Sequence, residues 1–436
     1  MEHPRVLIVG TVPYNTRSTS RALDSYFHNW PSDHLAQVFS DAVTPVKGHC
    51  GTLYQITDYR LLRRWKGAKE EVGVIFNYDE LPDSNESSER VDEKGKVSSA
   101  YRWGSKHTPL SHLLRGLLWR ESFWKTPQFE DWLDSFKPEC VFMCSSDDYF
   151  IPRIATYVSQ KYNIPIVPSI SDDYLFDYHF SLNPLYHFYK LTYRATMKEV
   201  FKRCAGGAVY ICDTIRDKYN KEYGLEGETV FLTSSIKRKP FAPVKKENPV
   251  ITYFGNISLG RNLSLDRIGK ALGEINHNYR LLVYSSETHE EICGVLKNNP
   301  NICYNRAIPY EEVQKKLEES DITIVVEGFR AEDIRATRYS LSTKVADCLS
   351  SGTCVLAYGS KECGAIDYLI KSNAAFVCTD SNGIVGCIKE ILDSVEKQEQ
   401  CYYNQISVIE KKHTIENSCV VAKTMIEKSI QKMGIK

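Results

Sequence analysis

The chain reads as an α/β protein of two Rossmann-like β/α/β domains facing each other across a cleft. Three observations predict this. Short apolar runs of strand length alternate with longer helical stretches, the pattern of parallel sheets covered by helices. A strand that enters a polar turn and then a helix opens the chain at Val6–Val9 and recurs at Val250–Phe254. Between these repeats lies Lys237–Pro249, with three prolines, five basic residues and no periodicity, which reads as a linker. The expected domains are residues 1–238 and 249–412.

Composition narrows the function classes. In 436 residues, 55 Lys and Arg balance 55 Asp and Glu, so no basic excess marks a dedicated nucleic-acid binder. Hydrophobic residues at 42% and charged residues at 25% exclude a mostly disordered chain. No apolar run approaches the ~18–20 residues of a membrane span. The start, Met1-Glu2-His3-Pro4-Arg5, passes straight into a strand and leaves no room for a signal peptide. Fourteen scattered cysteines without a C-x-x-C then read as reduced thiols in a cytoplasmic protein, mostly small buried hydrophobes.

Element by element, Arg5–Val9 is a strand followed by a polar turn and a helix over Ser20–Asn29. Val72–Asn77 is a second strand. The polar run Asp79–Ala100 is a long surface loop, either a lid or a mobile insertion. Tyr101–Trp132 carries Trp103, Trp119, Trp124 and Trp132, which read as core aromatics. Strand Cys140–Cys144, helix Ile151–Tyr162, strand Ile164–Pro168 and strand Gly207–Cys212 continue the alternation. Leu185–Arg203 interleaves aromatic and basic residues. It reads as a core-packed helix with snorkelling lysines or as a helix on a membrane surface. In the second half, Ser320–Val326 is a buried strand, a helix begins near Ser342-Thr343-Lys344 and ends at Gly352, and Cys354–Ala357 is a strand.

Ligands bind such sheets at the carboxyl ends of the strands. The turn Gly255–Asn262 lies at one such end. Glycines there let backbone N–H groups approach an anion, and Arg261 could pair with a phosphate. Arg261-Asn262 stands where a P-loop has Lys and a hydroxyl, which rules out an ATPase reading; no G-x-G-x-x-G occurs. Ser342, Thr343 and Lys344 crowd a helix N-terminus with hydroxyls, free N–H groups and an ammonium, which suits a diphosphate. Asp347, one turn on, could accept ribose hydroxyls or form a solvated pair with Lys344. In the first half, Cys144–Tyr149 and Ser169–His179 are acidic clusters after strands. Asp172, Asp173 or His179 could act as a base, and Asp147 could hold an acceptor; helix capping is the plainer reading. Asn15 and Arg17 occupy the corresponding turn after the first strand. The eleven histidines show no metal-ligand spacing with cysteine, so no metal is expected.

The segment Ser342-Thr343-Lys344-Val345-x-Asp347-x-Leu349-x-Ser351-Gly352 resembles the S-x-K-x-x-E-Y-x-x-x-G-x-P-V signature of GT-B nucleotide-sugar glycosyltransferases of the large family-4 type. Gly255 to Arg261 resembles that family's glycine turn with its phosphate-binding basic residue. Ile308-Pro309-Tyr310-Glu311-Glu312-Val313 resembles its nucleobase segment, Ser320-Asp321-Ile322 its strand start, and Glu362–Leu369 the segment that approaches the sugar. The resemblance covers roughly residues 250–390. It departs at Asp347, where the family has Glu, at Tyr339, where many members have a second Glu, and at Cys354, where the family has Pro.

The resemblance implies a GT-B enzyme that moves a sugar from a nucleoside diphosphate sugar to a carbohydrate or glycolipid acceptor, in cell-surface polysaccharide biosynthesis. It implies donor contacts from Gly255, Asn256, Ser258, Arg261, Ile308, Glu327, Ser342, Thr343, Lys344 and Asp347. Acceptor contacts fall to Asn15, Arg17 and Asp147, and catalysis to Asp172, Asp173 and His179. No cofactor is expected besides the donor, and no D-x-D offers the metal site of GT-A enzymes. Residues 413–436 are expected to return to the first domain as a helix. The expected location is the cytoplasm, with peripheral contact at the inner membrane face. A nucleotide-sugar 2-epimerase-like enzyme and a silent sugar-nucleotide-binding subunit are the rival readings.

Overall fold

The computed structural model describes residues 3–13, 21–82 and 108–434. The chain forms two compact units. One comprises Met1–Val230 with Cys419–Lys436, the other Phe231–Ser418. The division falls ahead of the proline-rich basic stretch, because that stretch is bonded to the second unit. Ser234 Oγ donates to Asp347, Arg238 to the Leu349 carbonyl, and the Lys239 N–H to the Ser351 carbonyl.

In the first unit the strands are β1 (Val6–Val9), β2 (Leu35–Phe39), β3 (Thr52–Ile56), β4 (Gly73–Asn77), β5 (Cys140–Cys144), β6 (Ile166–Ile170), β7 (Val209–Tyr210) and β8 (Glu228–Thr229). Among the described residues they form one sheet in the order β4-β3-β2-β1-β5-β6-β7-β8. β1 is central, with Val6 opposite Leu35 on one side and Cys140 on the other. The pairings are parallel except at the edge, where β4 runs antiparallel to β3. The parallel rhythm expected from sequence therefore fails at Gly73–Asn77. The short helix Asp58–Trp65 lies in the connection between β3 and β4, and β4 is an edge strand, paired with β3 alone among the described residues.

The first core collects Val6, Ile8, Tyr26, Phe27, Phe142 and Val167, and also Ala422, Met425 and Ile426 from the last helix, Ile415–Gly434. Trp119, Trp124 and Trp132 are buried, as their aromatic density suggested. Trp119 stacks on Phe150 with centroids 4.0 Å apart. Trp103 lies outside the described residues, as does all of the expected loop beyond Pro82.

The second unit holds β9 (Ile251–Phe254), β10 (Leu281–Ser285), β11 (Ile302–Arg306), β12 (Ile322–Val326), β13 (Cys354–Tyr358) and β14 (Phe376–Cys378). Their order is β11-β10-β9-β12-β13-β14, all parallel. Strand order therefore reverses between β9 and β12, the point where a doubly wound sheet opens a crevice for a ligand. β12 is buried along its whole length and reads as a continuous apolar run, as a central parallel strand should. Among the described residues, no helix is long and apolar enough to cross a membrane.

Candidate functional site

The site in the second unit grows from the turn after β9. Gly255 has φ +119°, a conformation that L side chains rarely adopt, and a Cβ there would lie 3.1 Å from Lys344 Nζ. The turn stays left-handed at Leu259 and Gly260, with φ of 57° and 72°. At Gly260 a Cβ would lie 2.1 Å from the Asp333 carboxylate, which Arg330 holds through two hydrogen bonds of 2.8 Å. Gly260 then caps the helix Arg261–Ile275. Asn256 closes the turn by accepting from the Ser258 N–H at 2.6 Å.

Three charged side chains meet at the reversal point. Lys344, first residue of the helix Lys344–Ser351, donates from Nζ to the Tyr253 hydroxyl at 2.7 Å. Arg261 donates from two nitrogens to Glu327 Oε2, at 2.9 and 2.8 Å. Glu327 directly follows β12 and is almost wholly buried. Burial raises its carboxyl above the usual range, and the charges of Arg261 and Lys344 pull it partly back. The reversal point thus presents an ammonium bonded to a tyrosine hydroxyl beside a guanidinium held by one carboxylate oxygen. Two cations beside a helix N-terminus are the chemistry that suits an anion.

Of the expected donor residues, Gly255, Asn256, Ser258, Arg261, Glu327 and Lys344 come together in this way. Ser342 and Thr343 precede the Lys344 helix, but Thr343 is already in helical conformation and makes no side-chain cap; the expected hydroxyl cap is absent. The Ser342 carbonyl instead accepts from the Val345 N–H at 3.0 Å. Asp347 is buried and accepts from Ser234 Oγ at 2.6 Å and the Tyr310 hydroxyl at 2.9 Å. Tyr310 begins the helix Tyr310–Glu319 directly after Ile308-Pro309, so its hydroxyl ties the two segments together.

In the first unit the acidic clusters separate. Asp173 Oδ1 accepts from the Leu175 and Phe176 N–H groups and from the Tyr219 hydroxyl, closing its own loop. Burial raises its carboxyl, against those hydrogen bonds. Asp172 is exposed. His179 is exposed and its Nδ1 lies 3.1 Å from the Tyr186 hydroxyl. Asn15 and Arg17 lie outside the described residues.

Asp147 joins a cluster that the sequence did not announce. His112, on the helix Pro109–Leu118, puts Nε2 3.4 Å from Asp147 and Nδ1 3.2 Å from Asp148. Its ring stacks on Tyr189 at 4.7 Å. Arg115 bonds Asp148 and, at 2.9 Å, Asp58. Burial pushes the Asp148 carboxyl up, but the His112 hydrogen bond and the Arg115 charge outweigh it and hold it below the usual range. Among the described residues, His112, Asp147 and Asp148 have the proximity to hold a metal ion. Arg115 already supplies Asp148 with the positive charge that an ion would bring. The cluster stands after β5, beside β1, where strand order reverses in the first sheet. The sequence signalled its carboxylates, Asp147 and Asp148 after a strand, but not His112 and Arg115, three apart on a helix face (i, i+3).

No protein-family profile matches the chain, and no curated protein matches it in sequence. Solved structures do match in shape. An Escherichia coli trehalose-6-phosphate protein bound with UDP-2-fluoro glucose superposes with TM-score 0.59 at 9% identity, covering 98% of each chain. HepE of Anabaena, in complex with UDP-glucose, superposes with TM-score 0.57 at 10% identity, covering 98% of this chain and 100% of its own. A glycosyltransferase from Rickettsia africae gives TM-score 0.51 at 12% identity, over 99% and 100% of the two chains. The chain has the GT-B fold. Within that fold the second unit carries the Arg261–Glu327–Lys344 group, and the first carries the His112 cluster.

Proposed function

We propose that the protein is a metal-independent glycosyltransferase of hexosyl type that takes its sugar from a nucleoside diphosphate sugar. One observation carries this reading: Arg261 and Lys344 converge at the reversal point of the second sheet, in a fold whose structural neighbours were solved with UDP and UDP-glucose. In this reading both cations bind the diphosphate and stabilise it as it leaves, the part a metal plays elsewhere. Asp347, preset by Tyr310 and Ser234, faces the ribose, and Ile308 flanks the base. Ser342 and Thr343 add N–H and hydroxyl donors.

The acceptor in this proposal is a saccharide or lipid-linked saccharide of a cell-surface polysaccharide, met in the cytoplasm. Asp147, partly exposed, orients its hydroxyl, and His112 behind it holds the proton. Asp173 is tied into its loop and is a weaker candidate base than Asp147.

Assaying a panel of nucleoside diphosphate sugars with EDTA present tests the proposal. Release of nucleoside diphosphate, lowered roughly a hundredfold or more by Lys344→Ala, is expected. Interconversion of the sugar without acceptor would indicate an epimerase. Binding without turnover would indicate a silent subunit, and neither binding nor turnover would refute the donor site itself.

A further inference from the structure

The first unit holds a cavity that the proposed reaction does not use. It opens between residues 119–124, the helix Phe150–Tyr162 and the helix Pro184–Lys202. Its volume is about 530 Å³, within the ~300–1,000 Å³ of small-molecule sites. Two buried indoles form its floor. Trp124 donates its N–H to the Trp119 carbonyl at 3.1 Å, and Trp119 donates its own to Asp58 at 2.6 Å. Both polar atoms are satisfied inside the protein, so the rings offer the cavity apolar surface alone. The ring of Tyr157, whose hydroxyl donates to Glu130, extends this floor.

The walls are planar and polar. Arg120 and Arg153 line the cavity together with Glu121, Glu199 and the Gln160 amide, so charges of both signs are present in equal number. Lys125 and Lys202, outside the cavity, take Oε1 of Glu121 and of Glu199 at 3.1 and 2.7 Å, and the second oxygen of each stays an acceptor. Arg153 gives one N–H to the Gly116 carbonyl at 3.4 Å and keeps its other donors. The Thr156 hydroxyl, on the same wall, is buried without a hydrogen-bond partner, which disfavours the fold unless something bonds it. This lining selects among ligands. An acid calls for an excess of cations and an amine for an excess of carboxylates. A wholly apolar molecule would leave the planar groups and Thr156 unsatisfied. A neutral saccharide suits every part: its C–H faces meet the aromatic floor, and its hydroxyls, which both donate and accept, meet guanidinium, carboxylate and amide.

We infer that this cavity is a second saccharide site, separate from the His112 cluster, which binds a neutral sugar unit. Its floor is bonded to the supports of that cluster. Asp58, which accepts from Trp119, also accepts from Arg115 at 2.9 Å, and Arg115 bonds Asp148. The site's role rests on the transferase reading: it holds a sugar of the acceptor away from the reacting end. Binding of the sugar does not depend on that reading.

The test is saturation-transfer NMR and calorimetry on the full chain with glucose, galactose, mannose and N-acetylglucosamine. Glucuronic acid and glucosamine serve as charged controls. At least one neutral sugar should bind, and the charged sugars should bind roughly tenfold or more weakly. Ala195→Trp, which fills the cavity from an exposed position, should abolish binding. Gln160→Ala with Glu199→Ala should weaken it roughly tenfold or more, the loss of two hydrogen-bonding groups. All three positions are exposed, so an unchanged melting temperature confirms that folding is intact. UDP titrated into the same variants should bind as it does to the wild type, which separates failure of this site from failure of the donor site. The inference is overturned if no neutral sugar binds, if the variants bind as the wild type does, or if the charged sugars bind equally well. It is also overturned if Asp147→Asn removes binding and Ala195→Trp does not.

Discussion

Gly255 shows how much one residue carries. Its positive φ strains any side chain, and a Cβ there would press on Lys344 at 3.1 Å. Gly255→Ala should cost about 1–3 kcal/mol in a denaturant melt and weaken nucleotide binding as Lys344 is displaced. Unchanged values in both would show that the turn is not held as described. His413 offers a second test. Its Nδ1 donates to the Leu232 carbonyl at 2.7 Å and its Nε2 lies 2.7 Å from the Tyr368 hydroxyl, so the neutral ring has a partner at both nitrogens. Burial lowers its pKa from 6.5 to about 4, so protons bind the unfolded chain first. The stability this group contributes is complete above about pH 6.5 and is lost as pH falls towards about 4, roughly 3 kcal/mol in all. Melts of His413→Gln across that window should show a shallower acid slope than the wild type. Equal slopes would contradict it.

At the scale of elements, the last helix is the clearest case. Ala422 and Ile426 are fully buried in the first core although they are the chain's last turns, and Lys428 and Lys432 pair with Glu226. Ile426→Ala should lower the stability of the first unit by about 2–5 kcal/mol. A change within error would mean that this helix does not complete the core. Elements also show what could be read from sequence. β12 and β5 were legible because apolar runs bounded by polar turns are local signals. β2 and β3 were not, because buried glutamines break their runs. Gln37 donates to the Val12 carbonyl, and Gln55 to those of Asp41 and Val43, so each amide nitrogen finds a carbonyl partner, although the buried Gln55 Oε1 has none. Only the folded neighbours reveal that compensation.

For the whole molecule, neutrality conceals local charge. Arg261 and Lys344 lie together beside the buried Glu327. The glycine turn after β9 could be read from sequence because Gly255 to Arg261 are contiguous, and the helix start at Lys344 because such a start is a short-range pattern. Glu327 as the partner of Arg261, and the His112 group, could not be assigned that way. Their members meet only when distant strands come to lie side by side. Two compact units should unfold with distinct stabilities. A nucleoside diphosphate at about 100 times its Kd should raise the second unit's transition by about 2.7 kcal/mol and leave the first unmoved. Calorimetry that shows both rising equally would contradict binding confined to the second unit. The most direct test of the account is titration of UDP and the other nucleoside diphosphates into the wild type, Lys344→Ala and Arg261→Ala. The account predicts that one of them binds the wild type and that each substitution weakens it about tenfold or more, the loss of one charge-assisted contact. Absence of binding by every nucleoside diphosphate, or equal affinity in all three proteins, would contradict it.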